Sequence, residues 1–191
     1  DGQRVTMASQ MSEADETVSS LYSVKSEQAT MLSFDTYNYL VHYFGQPQGS
    51  MSADPNGTLG GDYEFIILSA SAERIELKGK KYGNRIVMKA LTEDQTWKQY
   101  LTKIKKVEDD AFFYEYDLLM DGLYTGQMIR SNYTFILTYY DEIGKVHQKT
   151  VPFMFTADGM RFHEPVTIDG QTMQNFVWKN ELISFVCTDE G

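Results

Sequence analysis

Between Asp62 and Met88 the chain alternates apolar and polar residues in three short runs separated by two turns, and this restricts the fold more than any other feature. Tyr63, Phe65 and Ile67 alternate with Glu64, Ile66 and Leu68. Ile75 and Leu77 alternate with Arg74, Glu76 and Lys78, and Ile86 and Met88 with Arg85, Val87 and Lys89. A period of two puts successive side chains on opposite faces of a strand. The connections Ser69 to Glu73 and Gly79 to Gly83 are short enough for hairpins. The run therefore predicts an antiparallel meander.

The remainder extends the same theme. Arg4 to Ala8, Leu21 to Lys25 and Thr30 to Asp35 read as strands, with a polar acidic loop over Ser9 to Ser20. Thr36 to Phe44, rich in Tyr and Val, reads as strand or a turn into one. Gly45 to Gly61 carries two prolines and five glycines and predicts a long loop. Thr92 to Glu108 breaks the alternation. Thr92 with Gln95 matches a capping box, and Trp97, Leu101, Ile104 and Val107 follow helical spacing. Strands resume over Phe112 to Leu119, Gln127 to Tyr140, Lys145 to Phe155, Arg161 to Ile168, Gln174 to Trp178 and Leu182 to Cys187. Asp121-Gly122, Asp141 to Gly144, Asp158-Gly159 and Asp169-Gly170 mark turns between them.

The expected fold is mainly β, a β-rich α+β class of antiparallel meander sheets with one packed helix near 92–108. It is either a partly closed lipocalin-like barrel or two β units. The units run over 1–91 and 111–191 with a connecting helix at 92–110, within one compact domain. A weak internal echo pairs Asp1 to Val5 with Glu142 to Val146, and Met31 to Asp35 with Met154 to Asp158. The chain opens on Asp1-Gly2, a dipeptide that normally joins two strands, without an initiator Met or signal peptide. That reads as a cut through a longer protein.

Composition supports the β reading and narrows the partners. Thirteen Tyr, 11 Phe and 2 Trp in 191 residues suit half-buried strands. A net charge of −10 repels nucleic acid and anionic membrane surfaces. The single cysteine, Cys187, rules out an intrachain disulfide and a multi-thiolate metal site, and is expected to be a small buried hydrophobe. No apolar run approaches the ~20 residues of a membrane helix.

Five segments together carry a family resemblance: Arg4 to Ser9, Ser20 to Val24, Leu32 to Asn38, Gly60 to Phe65 and Leu77 to Asn84. With them the chain resembles a family of gut Bacteroidetes lipoproteins catalogued as domain of unknown function 4302. The resemblance implies export, a lipid anchor outside this chain, and a place in the cell envelope, on the outer membrane or cell surface. It also implies neighbouring systems that import glycans or peptides. The family has no catalytic or ligand-binding residues to transfer to this chain. Its likeness to lipocalin-like domains concerns fold alone.

No constellation for catalysis emerges, so no enzyme, cofactor or metal is expected. His42, His147 and His163 are not grouped at metal-ligand spacing. There is no Gly-x-Ser-x-Gly elbow, and neither Gly57 to Gly61 nor Gly79 to Gly83 forms a phosphate loop. Asp54, Asn56 and Asp62 with the carbonyls of Gly57 to Gly61 could ligate calcium, or simply form a solvated loop. Lys78, Lys80, Lys81 and Arg85 form a basic cluster that either grips a carboxylate or acidic sugar, or protects an edge hairpin. Tyr37, Tyr39, Tyr43, Trp97, Tyr139, Tyr140 and Trp178 either stack on a sugar or fill a core.

The candidate ligand-binding residues are therefore Tyr139, Tyr140, Trp178, Lys80, Lys81 and Arg85. The expected function is a non-enzymatic binding or accessory module for a small molecule, glycan or peptide. The alternatives are a lipocalin-like carrier of an apolar ligand and a hydrolase whose site the sequence hides. Oligomeric state is not legible.

Overall fold

A computed structural model describes residues 3–26, 28–47, 59–92, 94–141 and 143–189. The fold is mostly β, with 53% of residues in strands, arranged as two antiparallel sheets that each curl into half a barrel. Two compact units divide the chain, Asp1–Gln99 and Tyr100–Gly191.

The first unit holds β1 (Gln3–Met7), β2 (Val18–Ser26), β3 (Thr30–Phe34), β4 (Glu64–Ala70), β5 (Arg74–Gly79) and β6 (Arg85–Lys89). They pair in sequence order, each antiparallel to the next. The alternation seen from Asp62 to Met88 sets the core side: Phe65 and Leu77 are buried, as is Met31 on β3. Ile67 faces Leu77 and Ser69 faces Glu76, so Leu68 is an extra residue that bulges the strand. On β6, the edge of this sheet, Ile86, Val87 and Met88 are all exposed.

Thr36 to Phe44 is not a strand. Here α1 (Tyr39–His42) leads into a short 3-10 helix (Tyr43–Gly45). Asn38 overrides the β propensity of its neighbours. Its side-chain oxygen accepts from the Leu40 N–H (3.1 Å), and its carbonyl accepts from the His42 N–H (2.9 Å). Its amide donates to Ser20 Oγ (3.1 Å), so this fully buried residue ties the helical turn to β2. The Phe44 carbonyl then accepts N–H bonds from Leu59 (3.1 Å) and Gly61 (2.9 Å), pinning the return of the long loop.

Helix α2 (Trp97–Asp110) begins later than expected, and the boundary between the units falls within it. The capping box is built by Thr96 and Gln99 instead of Thr92 and Gln95. Thr96 Oγ1 accepts from the Gln99 N–H (3.3 Å), while Gln99 Oε1 accepts from the Thr96 N–H (3.0 Å). The Thr92 carbonyl accepts from the Gln95 N–H (3.0 Å) in a preceding turn. Leu101, Ile104 and Val107 are the buried stripe of the helix.

The second unit holds β7 (Glu115–Met120), β8 (Leu123–Ser131), β9 (Thr134–Tyr140), β10 (Val146–Phe155), β11 (Gly159–Ile168), β12 (Gln171–Lys179) and β13 (Ser184–Cys187). They too pair in sequence order. Asp121-Gly122 and Asp169-Gly170 have φ of 50° and 77°, and 46° and 81°, the left-handed pairs that tight hairpins require. Gln127 to Tyr140, expected as one strand, breaks at Asn132 (φ 53°), and Ser131 pairs with Thr134 across the turn. The interior is phenylalanine-rich. Phe135 stacks on Phe153 (4.3 Å), and Phe162 packs against Phe176 (4.7 Å). The proposed internal echo does not follow the topology. Its first-half segments fall on β1 and β3, whereas Val146 and Met154-Phe155 lie at opposite ends of the single strand β10.

Cys187 is exposed, because β13 is an edge strand. Partial burial of its sulfur, with the Asp189 carboxylate beside it, pushes the thiol above its usual range. Asp189 locks this edge. Its carboxylate accepts from the Gln174 N–H (2.5 Å), the Asn175 N–H (2.7 Å) and the Asn175 amide (2.5 Å). Burial opposes ionisation, but the Asn175 and Gln174 donors outweigh it and hold the group at about 2, below its ordinary 3.8. A lowered folded-state value adds stability above the unfolded value, which disappears as pH falls through that window. Between pH 4 and 2, Asp189→Asn should therefore lose less stability than the wild type. Denaturant unfolding at both pH values measures this, and equal losses would remove Asp189 from the acid response.

Candidate functional site

The segment joining α2 to β7 puts three aromatic residues at the surface. Ala111 is fully buried and its N–H continues the helix ladder to Val107 (2.9 Å). The chain then turns, with the Phe113 N–H donating to the Ala111 carbonyl (2.9 Å) and the Arg130 N–H to the Tyr114 carbonyl (2.8 Å). This lays Phe112, Phe113 and Tyr114 beside the end of β8 rather than in a strand. Phe113 keeps an inward footing against Tyr116 (6.0 Å) and Trp178 (6.4 Å). Phe112 and Tyr114 are 74% and 72% exposed.

These rings, with Arg130 and Asn132, line a pocket of about 240 Å³. Arg130 projects in phase with the buried Met128, and its side chain is only 10% exposed. Its guanidinium lies against Phe112 (5.0 Å), Phe155 (5.0 Å) and Phe153 (5.8 Å). Nε donates to the Asn132 carbonyl (3.0 Å), which locks the β8–β9 turn onto the arginine. Nη2 reaches Glu108 Oε1 of α2 at 3.4 Å, and that oxygen also accepts from the Tyr133 hydroxyl (3.1 Å). Nη1 is buried and meets no hydrogen-bond partner among the described residues. A guanidinium carries five donors, so this one is held in place yet under-used. Leaving a buried donor unmade costs about 1–3 kcal/mol, and such exceptions point to strain or to an absent partner.

The residues expected to bind from sequence do not converge. Tyr139 shares a face of β9 with the buried Phe135 and Leu137 and stacks on His147 (5.2 Å). Tyr140 is on the opposite face and exposed. Trp178 is a core residue on β12, separated from β9 by β11 and β10. Its indole donates to Asn180 Oδ1 (2.6 Å) and its ring packs on Phe185 (4.9 Å). A single cleft cannot use all three. Tyr37, Tyr39, Tyr43 and Trp97 belong to the other unit.

Lys80, Lys81 and Arg85 lie together in the first unit but are engaged. Lys80 pairs with Glu64 (3.1 Å), Arg85 approaches Glu76 (3.8 Å), and Lys81 sits over the Tyr82 ring (4.7 Å). Asp62 is committed to the turn they flank, accepting from the N–H groups of Lys81 (2.7 Å) and Tyr82 (3.2 Å). Of the other proposed calcium ligands, Asp54, Asn56 and the carbonyls of Gly57 and Thr58 lie outside the described residues. Among the described residues no group of three or more His, Cys, Asp and Glu could hold a metal ion. One His–carboxylate pair escaped the sequence reading: His147 Nε2 lies 2.8 Å from Asp141 Oδ2. The His147 contact holds Asp141 below the usual carboxylate range.

The family model described as a domain of unknown function (DUF4302) matches residues 1–180. The chain belongs to the DUF4302 family. No curated protein and no solved structure gives a match. In this DUF4302 chain, then, the pocket must be judged by its own chemistry. It has an apolar wall and a fixed cation with an idle donor.

Proposed function

We propose that this DUF4302 chain is a non-enzymatic binding module whose ligand enters the pocket formed by Phe112, Phe113, Tyr114, Arg130 and Asn132. The observation that carries this reading is the buried Arg130 Nη1 without a partner, at the base of exposed aromatic rings. Apolar walls with a few fixed polar groups are the usual make-up of ligand sites. Its setting would be the cell envelope, with the protein held by a lipid anchor outside this chain and serving glycan or peptide acquisition. The family resemblance supports that setting. A lipocalin-like carrier is less well supported, because phenylalanine side chains fill the interior of the second unit.

Trp178 provides a reporter, since Phe113 joins it to the pocket. In a Trp97→Phe background, oligosaccharides and peptides that bind should change its emission. Tyr114→Ala should weaken such binding roughly tenfold, as expected for losing on the order of 1.5 kcal/mol of ring burial. Thermal stability should stay near wild type because Tyr114 is largely exposed. A screen with no responding ligand, or one unaffected by Tyr114→Ala, would count against the pocket.

A further inference from the structure

We infer that the group bound at this pocket is a carboxylate carried on an apolar body, such as the C-terminal residue of a peptide or a free aryl-alkyl acid. The inference rests on the pocket being a ligand site and adds the chemical class. Charge is the first argument. Arg130 is the cation of the pocket, its Nη1 has no partner, and guanidinium N–H pairs match a carboxylate in a two-pronged geometry. Glu108 does not use this capacity up. It touches only Nη2, at 3.4 Å, and its Oε1 is shared with Tyr133.

The walls decide the rest of the ligand. Phe112, Phe113 and Tyr114 offer ring faces, and besides Arg130 the polar side chains in the lining are the Tyr114 hydroxyl and Asn132. A sugar acid brings several hydroxyls, and each one buried without a partner costs affinity. A phenyl or branched alkyl group has no such demand. Size agrees. About 240 Å³ is room for about eight waters at ~30 Å³ each, enough for one residue or one small acid.

Access runs past Phe112. Phe112, Phe155 and Phe153 all lie against the guanidinium, but Phe155 and Phe153 are buried whereas Phe112 is 74% exposed, so Phe112 is the ring that can rotate away with little loss of packing. The displaced ring can then close against the ligand's apolar body.

Calorimetric or NMR titration with 3-phenylpropionate and its amide tests the class. A dipeptide ending in phenylalanine, with free or amidated C-terminus, and glucuronate form the other arms. The acids should bind about tenfold or more tightly than the matching amides, the worth of one charge-assisted hydrogen bond. The stronger of the two acids identifies the source. Arg130→Gln, which removes the charge, should abolish the acid–amide difference. Because Arg130 also supports the fold, Glu108→Gln is the decisive companion. Removing the competing carboxylate should tighten acid binding several-fold without helping the amide, an effect no purely structural arginine would produce. Equal affinity for acid and amide would overturn the carboxylate class and leave the pocket standing. Glucuronate binding more tightly than phenylpropionate would overturn the apolar body. Silence from every probe at the Phe112 and Arg130 resonances would overturn both the class and the pocket.

Discussion

Phe135→Ala should lower the unfolding free energy by about 3–5 kcal/mol, the range for deleting a buried aromatic ring. Phe135 is 1% exposed and stacks on Phe153 at 4.3 Å with an interplanar angle of 21°. Tyr116 (5.7 Å) and Phe162 (6.4 Å) meet it edge-on from other strands. These neighbours stand on laddered backbones, so they cannot move in to fill the space. Phe135→Leu retains part of the volume and should cost clearly less. Denaturant titration of both variants measures the difference, and a loss below ~1 kcal/mol for the alanine variant would show that the site collapses freely.

Gly79→Ala should be nearly as damaging, for the opposite reason. A Cβ there would stand 1.9 Å from Asp62 Oδ2 and 2.4 Å from its Cγ, where real contacts do not occur. The carboxylate cannot retreat without releasing the Lys81 and Tyr82 N–H groups. The expected cost is about 1–3 kcal/mol for overpacking, plus the unmade hydrogen bonds. In an Asp62→Ala background the overlaps with the carboxylate disappear and only the close approach to Cβ, at 3.0 Å, remains. Gly79→Ala should then cost clearly less than it does in the wild type, giving a strong coupling between neighbours. Additive costs in that double-mutant cycle would contradict the carboxylate's role as the obstacle.

That pair also shows what the sequence could reveal. Asp62 and Gly79 are 17 positions apart, and nothing in either neighbourhood announces that the carboxylate occupies the space a side chain at 79 would need. The turns were legible because their chemistry is local: Asp121-Gly122 and Asp169-Gly170 adopt positive φ on their own account. Strand faces were legible where burial follows a period of two, as at Phe65 and Leu77. Thr36 to Phe44 misled because its β-prone residues are overruled by Asn38, whose buried partner Ser20 lies on another strand. The turn at Asn132 was missed because no glycine or proline marks it.

The pocket was hidden for a related reason. Phe112, Phe113 and Tyr114 look like the opening of a strand, and the bond from the Phe113 N–H to the Ala111 carbonyl turns them into a wall. One clue was present. Arg130 falls in phase with Gly126 and Met128, the inward side of β8, and an arginine on an inward face needs a partner. The basic cluster at Lys80, Lys81 and Arg85 drew attention because it was dense. Density of charge marks solvation more often than a site.

Strict sequential pairing in both sheets has a consequence for how the chain assembles. Every hairpin joins neighbours, so each new strand emerging from a ribosome can dock on the one before it without waiting for distant sequence. The β3–β4 step is the exception. Closing the stretch between Phe34 and Glu64 costs about 1.5 kcal/mol more chain entropy than closing the stretch between Gly79 and Arg85. Asn38 and the Phe44 carbonyl shorten that stretch by holding both of its ends. The Phe44 bonds to Leu59 and Gly61 divide the detour into a shorter closure and the strand pairing that follows it.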